Sequence, residues 1–163
     1  MTLNELLADI YLRDLRILRM TLEDFSDSDM LVRPCPNANH AMWQLGHLIA
    51  SEARMINGCR PDAIKAVPIG FAERYTKATA SSDDPKGFDS KSRLFEIQDK
   101  IRAEAIEWVK NVTLQEMSLP GPEKMRDFLP TVGHVVNVIP SHASMHVGQF
   151  QVIRRFLGKP ILF

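Results

Sequence analysis

The sequence predicts an all-α fold, a four-helix bundle with a long irregular connection between its second and third helices. Apolar residues recur at helical spacing in four long segments, and no segment shows the alternation that is typical of half-buried strands. Residues 57–90, in contrast, collect glycine, proline and serine. Four periodic segments without an internal repeat are typical of a four-helix bundle. A chain of 163 residues can bury one hydrophobic core, so we expect a single domain, residues 1–163.

The first helix is predicted from about Leu3 to Phe25. Thr2 and Glu5 stand in the order of a capping box, in which each side chain bonds a backbone N–H of the first turn. Asp14 lies in the middle of the apolar arc of this helix. A buried carboxylate needs a partner, so Asp14 is either paired within the bundle or functional. The predicted arc consists of Leu3, Leu6, Leu7, Ile10, Ile17, Leu18 and Phe25.

The second helix is expected to begin after Asn37 or Asn39, either of which can act as its N-cap, and to end near Gly58. The connection that follows it, residues 57–90, is long for a compact domain. Such loops are often lids or binding segments, although plain irregular packing is equally compatible with the sequence. A short helical turn is expected around residues 71–77.

The third helix is expected to begin at Asp89 or Ser90, which are alternative caps, and to reach about Val112. It contains no histidine. One face of this segment is apolar and is predicted to contact the core. That face consists of Leu94, Ile101, Ala105, Trp108 and Val112.

The final helix is expected to begin at Thr131 and to stop at Gly158, because glycine commonly ends a helix. Pro140 has no backbone N–H to donate, so we expect it to kink or restart the helix. His142 and His146 lie four residues apart. Four residues advance ~6 Å and return to nearly the same azimuth, so both imidazoles can reach one ion at ~2.0–2.1 Å. The pair alone is equally compatible with two hydrogen-bonded core histidines.

His47 is the candidate third ligand, because it lies beside the apolar arc of the second helix, between Trp43 and Arg54. Three nitrogen ligands leave an open coordination position, which is typical of catalytic metal sites. Three histidines therefore favour a divalent ion over core packing, but affinity order does not identify the metal. Of the remaining histidines, His40 is interpreted as a cap or an exposed residue and His134 as peripheral.

Several other functions are disfavoured by what the sequence lacks. Metalloproteases need glutamate directly after the first histidine, where this chain has Ala143. Di-iron bundles need glutamate three residues before histidine, which none of the five histidines has. Lysine and arginine (20) balance aspartate and glutamate (20), so the chain has no net positive charge to attract nucleic acid. Cys35 and Cys59 lack metal or redox spacing and are interpreted as reduced thiols.

The sequence also predicts a cytoplasmic protein with no membrane partner. No uninterrupted apolar run approaches the ~18 residues that are needed to span a bilayer. The first twelve residues carry Glu5 and Asp9 among leucines and lack the basic-then-apolar order of a secretory signal.

Three segments carry a resemblance to a known family: residues 43–47 (WQLGH), 142–150 (HASMHVGQF) and 154–160 (RRFLGKP). They resemble the DinB/YfiT-like superfamily of metalloenzymes. The resemblance implies a four-helix bundle of the DinB/YfiT-like type, a homodimer, and one bound divalent ion, nickel or zinc. It also implies chemistry with low-molecular-weight thiols, as in S-transferases and a maleylpyruvate isomerase. The residues that match the family's metal ligands are His47, His142 and His146.

Two functional hypotheses follow. In the first, the protein is a metal-dependent enzyme that acts on a small molecule with a small thiol, as an S-transferase or isomerase, or with metal-activated water. In the second, it is a non-catalytic dimeric bundle with a structural metal or a vacant histidine site, and the apolar tail 161–163 supplies a contact surface. The sequence identifies no catalytic residue. The candidate pocket or ligand-orienting residues are Asp14, Trp43, Arg54 and Gln149.

Overall fold

The computed structural model describes residues 1–162, and over these residues the chain is all-α, as predicted. Within that range no strand forms, and the isolated bridge between Pro120 and Thr131 is the single β-type pairing. None of the described helices is long and apolar enough to cross a membrane. The helices are α1 (Leu3–Leu22), α2 (Ala41–Cys59), α3 (Lys91–Asn111), α4 (Leu114–Met117) and α5 (Val132–Phe156).

The four long helices enclose one apolar core. Helices α1 and α2 each pack against both α3 and α5. Gly58, at the end of α2, lies against Pro122, which precedes α5, while His47 lies against His142 in the middle of α5. Helices α2 and α5 therefore run antiparallel, and their shared face carries the three candidate histidines.

Helix α1 begins with the predicted capping box, and its buried face is only partly the predicted one, since Leu18 and Asp14 are buried as expected. Leu3 and Leu6 are 47% and 43% exposed, so this part of the predicted arc is wrong. The face that packs on α3 and α5 is centred on Tyr11 and Asp14. Packing partners, rather than the density of leucines, decide which arc of a helix is buried. The buried residues are Ala8, Tyr11, Asp14, Leu18, Thr21 and Leu22.

The N-cap of α2 is His40, so the prediction of Asn37 or Asn39 is wrong. The Nδ1 atom of His40 accepts a hydrogen bond from the backbone N–H of Trp43 at 3.1 Å. Its Nε2 atom donates to the carbonyl of Ser82 at 3.0 Å, and the ring is fully buried. The interpretation of His40 as a cap is thus confirmed, whereas the alternative, an exposed residue, is wrong. The second nitrogen of His40 finds its hydrogen-bond partner in Ser82, which lies forty-two residues later in the chain.

The connection between α2 and α3 packs onto the bundle through three 3₁₀ turns. The turn Ala72–Tyr75 confirms the predicted helical turn in this region. Tyr75 is buried, its hydroxyl donates to Asp89 Oδ2 at 2.9 Å, and its ring lies directly against Gly46, where a Cβ atom would overlap it. The glycine in the middle of α2 therefore allows this connection to lie close to the candidate site. The other turns are Lys77–Thr79 and Pro85–Gly87.

Helix α3 begins after Ser90, one of its predicted caps, and all five residues of its predicted apolar face are buried. Helix α5 runs without interruption through Pro140, so the predicted restart does not occur. The missing N–H of Pro140 leaves the carbonyl of Val136 without its helical partner. The Tyr11 hydroxyl donates to that carbonyl at 3.0 Å, which satisfies it.

Helix α4 was not predicted. It is a single turn, and its signal was present in the sequence: Thr113 and Glu116 form a capping box like that of Thr2 and Glu5.

Candidate metal centre

The three candidate histidines converge between α2 and α5. One ring nitrogen from each of His47, His142 and His146 lies within 4.8 Å of the other two. His146 is buried, with 8% of its surface exposed, while His47 and His142 are half-buried. The ring centroids of His142 and His146 are 4.8 Å apart, and that of His47 is 5.4 and 5.7 Å from them. Three nitrogen donors at this spacing can surround one ion.

A buried glutamine sets the proton position on His146. The Oε1 atom of Gln44 lies 2.7 Å from His146 Nδ1, and an amide oxygen only accepts, so Nδ1 carries the proton. The amide of Gln44 is held in this orientation because its Nε2 donates to the carbonyl of Asn39 at 2.6 Å. The Nε2 atom of His146 is therefore left with its lone pair, 3.2 Å from His142 Nε2. A hydrogen bond to the remote nitrogen is the usual support of a metal-binding histidine.

The indole of Trp43 forms one wall of the site. It stacks on the His47 ring at a centroid distance of 4.8 Å with an interplanar angle of 10°. The indole N–H donates to the carbonyl of Thr76 at 3.1 Å, which ties the wall to the connection between α2 and α3. This wall restricts water on one side of the site.

Burial keeps the three imidazoles neutral. Desolvation, followed by the charges of His47 and Arg54, lowers the pKa of His142 to about 4. Desolvation, followed by the charges of the other two histidines, lowers the pKa of His146 to about 3, and desolvation also lowers the pKa of His47. A divalent ion binds neutral imidazole, and three histidines with a free position are a typical zinc-type donor set. The residues present therefore fit a divalent ion.

The other candidate residues take up different positions. Arg54 is exposed, two turns after His47 on α2. Asp14 is buried on α1, where Arg13 donates to its Oδ1 at 3.0 Å; it makes no hydrogen bond to a histidine within residues 1–162. Gln149 is exposed and makes none there either. His134 is peripheral, as expected, and its ring bonds Thr131 Oγ1 at 2.8 Å.

The sequence did not reveal a second buried polar cluster beside the histidines. Arg102 donates to Glu52 Oε2 at 2.8 Å, and both side chains are buried. With His142 and Gln98 they line a cavity of about 10 Å³, close to the smallest space that holds a water molecule. Burial raises the pKa of Glu52, and the nearby Arg102 partly offsets this effect. The ion pair joins α2 to α3, and no local motif signals it.

The role of Gln44 was also missed. The residue stands three positions before His47, within the segment that carries the family resemblance, but its contact is with His146 on another helix. Only the packing of α2 on α5 creates that contact.

Comparison with known proteins places the chain in one family and one fold. Residues 11–150 match the model of a family described as the DinB superfamily. No curated protein matches the sequence. Among solved structures, the crystal structure described as the conserved protein of locus from Enterococcus faecalis superposes with a TM-score of 0.70. It is 15% identical, and the alignment covers 98% of this chain and 99% of that chain, so the likeness shows a shared fold.

Proposed function

The chain belongs to the DinB superfamily, and on this premise we propose that it is a metal-dependent enzyme that acts with a small thiol, as an S-transferase or isomerase, or with water. The observation that carries the proposal is the convergence of three neutral imidazoles from α2 and α5. The proposed ion is nickel or zinc, as the family resemblance implies, and imidazole donors suit either metal. The proposed ligands are His47, His142 and His146.

The protein's own residues prepare the site for an ion. Gln44 holds a proton on the remote nitrogen of His146, and burial keeps all three rings uncharged at neutral pH. Trp43 covers one side of His47. When bound, a divalent ion with an open position would supply Lewis acidity that lowers the pKa of a thiol or water.

Metal content tests the ligand set. Untagged protein is reloaded with zinc or nickel, dialysed without chelator and assayed by elemental analysis. We expect about one ion per chain in the parent and in the control His134→Ala, whose exposed ring lies outside the site. His142→Ala and His146→Ala should lose the ion, because two ligands hold a metal poorly. Equal metal in all four proteins would refute the ligand assignment.

A thiol assay tests the reaction class. Nickel- or cobalt-substituted protein should develop a charge-transfer band with glutathione, cysteine, bacillithiol or mycothiol, and should consume an electrophile faster than the free thiol does. His47→Ala should abolish both effects. A loaded protein that shows neither effect with any of the four thiols would leave a metal-binding bundle without thiol chemistry.

The second candidate is the non-catalytic dimeric bundle, and exposed apolar residues near the C-terminus favour a dimer in either case. Ile161 and Phe156 are 69% and 62% exposed, and Leu162 is 37% exposed. Phe163, the last residue of the predicted contact surface, lies outside the described residues. Light scattering at micromolar concentration should give twice the 18.5 kDa of one chain. A mass of one chain would refute the homodimer.

A further inference from the structure

A groove lined by an unpaired arginine lies at α2, two turns along the helix from His47. It has a volume of about 490 Å³ and runs between α2 and the turn that precedes α5. More of its exposed lining is apolar than polar. It is lined by Arg54, Gly58, Pro122, Glu123, Lys124 and Met125.

Helix geometry places Arg54 between this groove and the histidines. Arg54 follows His47 by seven residues, which returns it to within ~20° of the same azimuth and moves it ~10.5 Å along α2. Helical side chains lean toward the N-terminus, so the guanidinium of Arg54 leans toward His47. The groove therefore lies on the α2 face that carries His47, about two turns further along the helix.

Arg54 has no internal counter-charge. Within residues 1–162 its guanidinium takes part in no salt bridge and no hydrogen bond, whereas the buried Arg102 and Arg154 each pair with a carboxylate. An exposed arginine on open surface is normally hydrated and needs no ligand. Arg54 differs because it lines a concave, mainly apolar groove on the α2 face that also carries His47.

We propose that this groove binds a small carboxylate that bears an apolar chain. Arg54 pairs with the carboxylate, and Met125 and Pro122 contact the chain. The carboxyl end then lies on the side of the groove nearest the histidines. The role of the groove as a substrate subsite rests on the proposed enzymatic function, whereas carboxylate binding itself does not.

A singly charged anion suits the groove better than a phosphate. The guanidinium fork pairs with either group. However, Glu123 lines the same groove and offsets the charge of Lys124, so a doubly charged phosphate monoester meets a net charge of only about +1 there. A carboxylate matches that charge.

Calorimetric titration of the full chain with hexanoate, before and after zinc loading, tests the assignment. Hexanoate should bind in both forms, and Arg54→Met should weaken binding at least about tenfold, as expected for the loss of a charge-assisted hydrogen bond. Arg54→Lys should retain part of the affinity. The matched control is Arg155→Met on α5, which removes an exposed arginine outside the groove and should bind like the parent.

The ligand is varied as well. Hexanamide has the same chain without the charge and should bind at least tenfold more weakly than hexanoate. Acetate should also bind more weakly, by roughly two- to fourfold for each missing methylene group that contacts the groove. Thermal melting of each variant checks that it is folded, and saturation-transfer NMR provides a second measure of binding.

Equal affinity for hexanoate and hexanamide, equal effects of Arg54→Met and Arg155→Met, or no binding by either method at millimolar concentration would overturn the assignment. Tighter binding of hexyl phosphate would replace it with a phosphate site. The test of the groove can be distinguished from the test of the metal site. Hexanoate binding that depends on Arg54 in a protein that retains no zinc would support the groove and refute the proposed function. Zinc retention together with hexanoate binding that does not depend on Arg54 would refute the groove assignment and leave the proposed function standing.

Discussion

Two polar clusters lie inside this bundle, and α2 contributes to both. On one side His47 meets two histidines of α5, and on the other side Glu52 meets Arg102 of α3. His142 and Glu52 even line the same small cavity. The clusters differ in what they lack. The second holds a carboxylate with its own cation, whereas the first holds three bases with no internal acid.

The difference shows how a helical core tolerates buried polar groups. A buried charge is costly unless it is paired, and the ion pair between Glu52 and Arg102 meets that need internally. The histidines meet it by staying neutral, because burial depresses the pKa of His142 and His146. Their lone pairs then remain available. A polar cluster is therefore suited to an external ligand when its lone pairs have no acid of the protein to bind, and not merely because it is polar.

The largest effect is expected where the ion pair is broken. Arg102→Met leaves Glu52 buried without its cation and should lower the free energy of unfolding by about 3–5 kcal/mol. Urea unfolding of the metal-free protein measures the loss. Zinc affinity should stay close to that of the parent, because within the described residues Arg102 makes no hydrogen bond to a histidine. If the free energy of unfolding falls by less than about 1 kcal/mol, Glu52 does not require Arg102 to remain buried.

The next effect concerns the support of His146. Gln44→Leu removes the acceptor that holds the Nδ1 proton and should lower zinc affinity by about 10- to 100-fold. Gln44→Glu keeps an acceptor at the same place but loses the bond to the Asn39 carbonyl, so it should retain more affinity than Gln44→Leu. Competition with a chromophoric chelator measures both. If Gln44→Leu and Gln44→Glu bind zinc equally well, the hydrogen bond does not organise the site.

A smaller effect is expected from pH. The unfolded histidines have a pKa near ~6.5, whereas in the fold the pKa of His142 is about 4 and that of His146 about 3. The unfolded state therefore binds more protons between these values, and the stability of the metal-free protein should fall as pH drops from 6.5 to 4. Allowing for the partial exposure of His142, we expect about 1–2 kcal/mol.

The pH effect has its own control. Chemical unfolding at several pH values should show a shallower dependence in His142→Ala, because that variant lacks one of the depressed groups. A stability that stays constant or rises as pH falls from 6.5 to 4 would contradict neutral, desolvated histidines.

The smallest effect should come from replacing the whole ion pair. The double variant Glu52→Met/Arg102→Met fills similar space without a charge, and its unfolding free energy should lie within about 1 kcal/mol of the parent. Urea unfolding alongside Arg102→Met gives the comparison directly. If the double variant is as unstable as Arg102→Met, Glu52 and Arg102 stabilise the fold by more than compensating each other's charge. The two polar clusters would then differ less than their internal partners suggest.

How far the fold could be predicted depends on how local each signal is. The capping box of Thr2 and Glu5 and the cap at Ser90 were predictable, because each bond joins residues three positions apart. The path of α5 through Pro140 was not, because the Val136 carbonyl is satisfied by Tyr11 from another helix. The wrong arc of α1 has the same origin, since exposure of Leu3 and Leu6 depends on where α3 and α5 lie.

The sequence by itself determined that His142 and His146 can face one ion, since helical spacing alone aligns residues four positions apart. It also supplied His47 as the candidate third ligand, because His47 lies beside the apolar arc of its helix, and the family resemblance matched the same residue. Only the tertiary structure decided that the three rings meet within 4.8 Å, that Gln44 fixes the proton on His146, and that Asp14 pairs with Arg13 instead of a histidine. The first two require the register of α2 against α5, which many apolar side chains set together. The burial of Asp14 followed from its place in the apolar arc, but which partner its carboxylate meets depends on how α1 packs against α3 and α5.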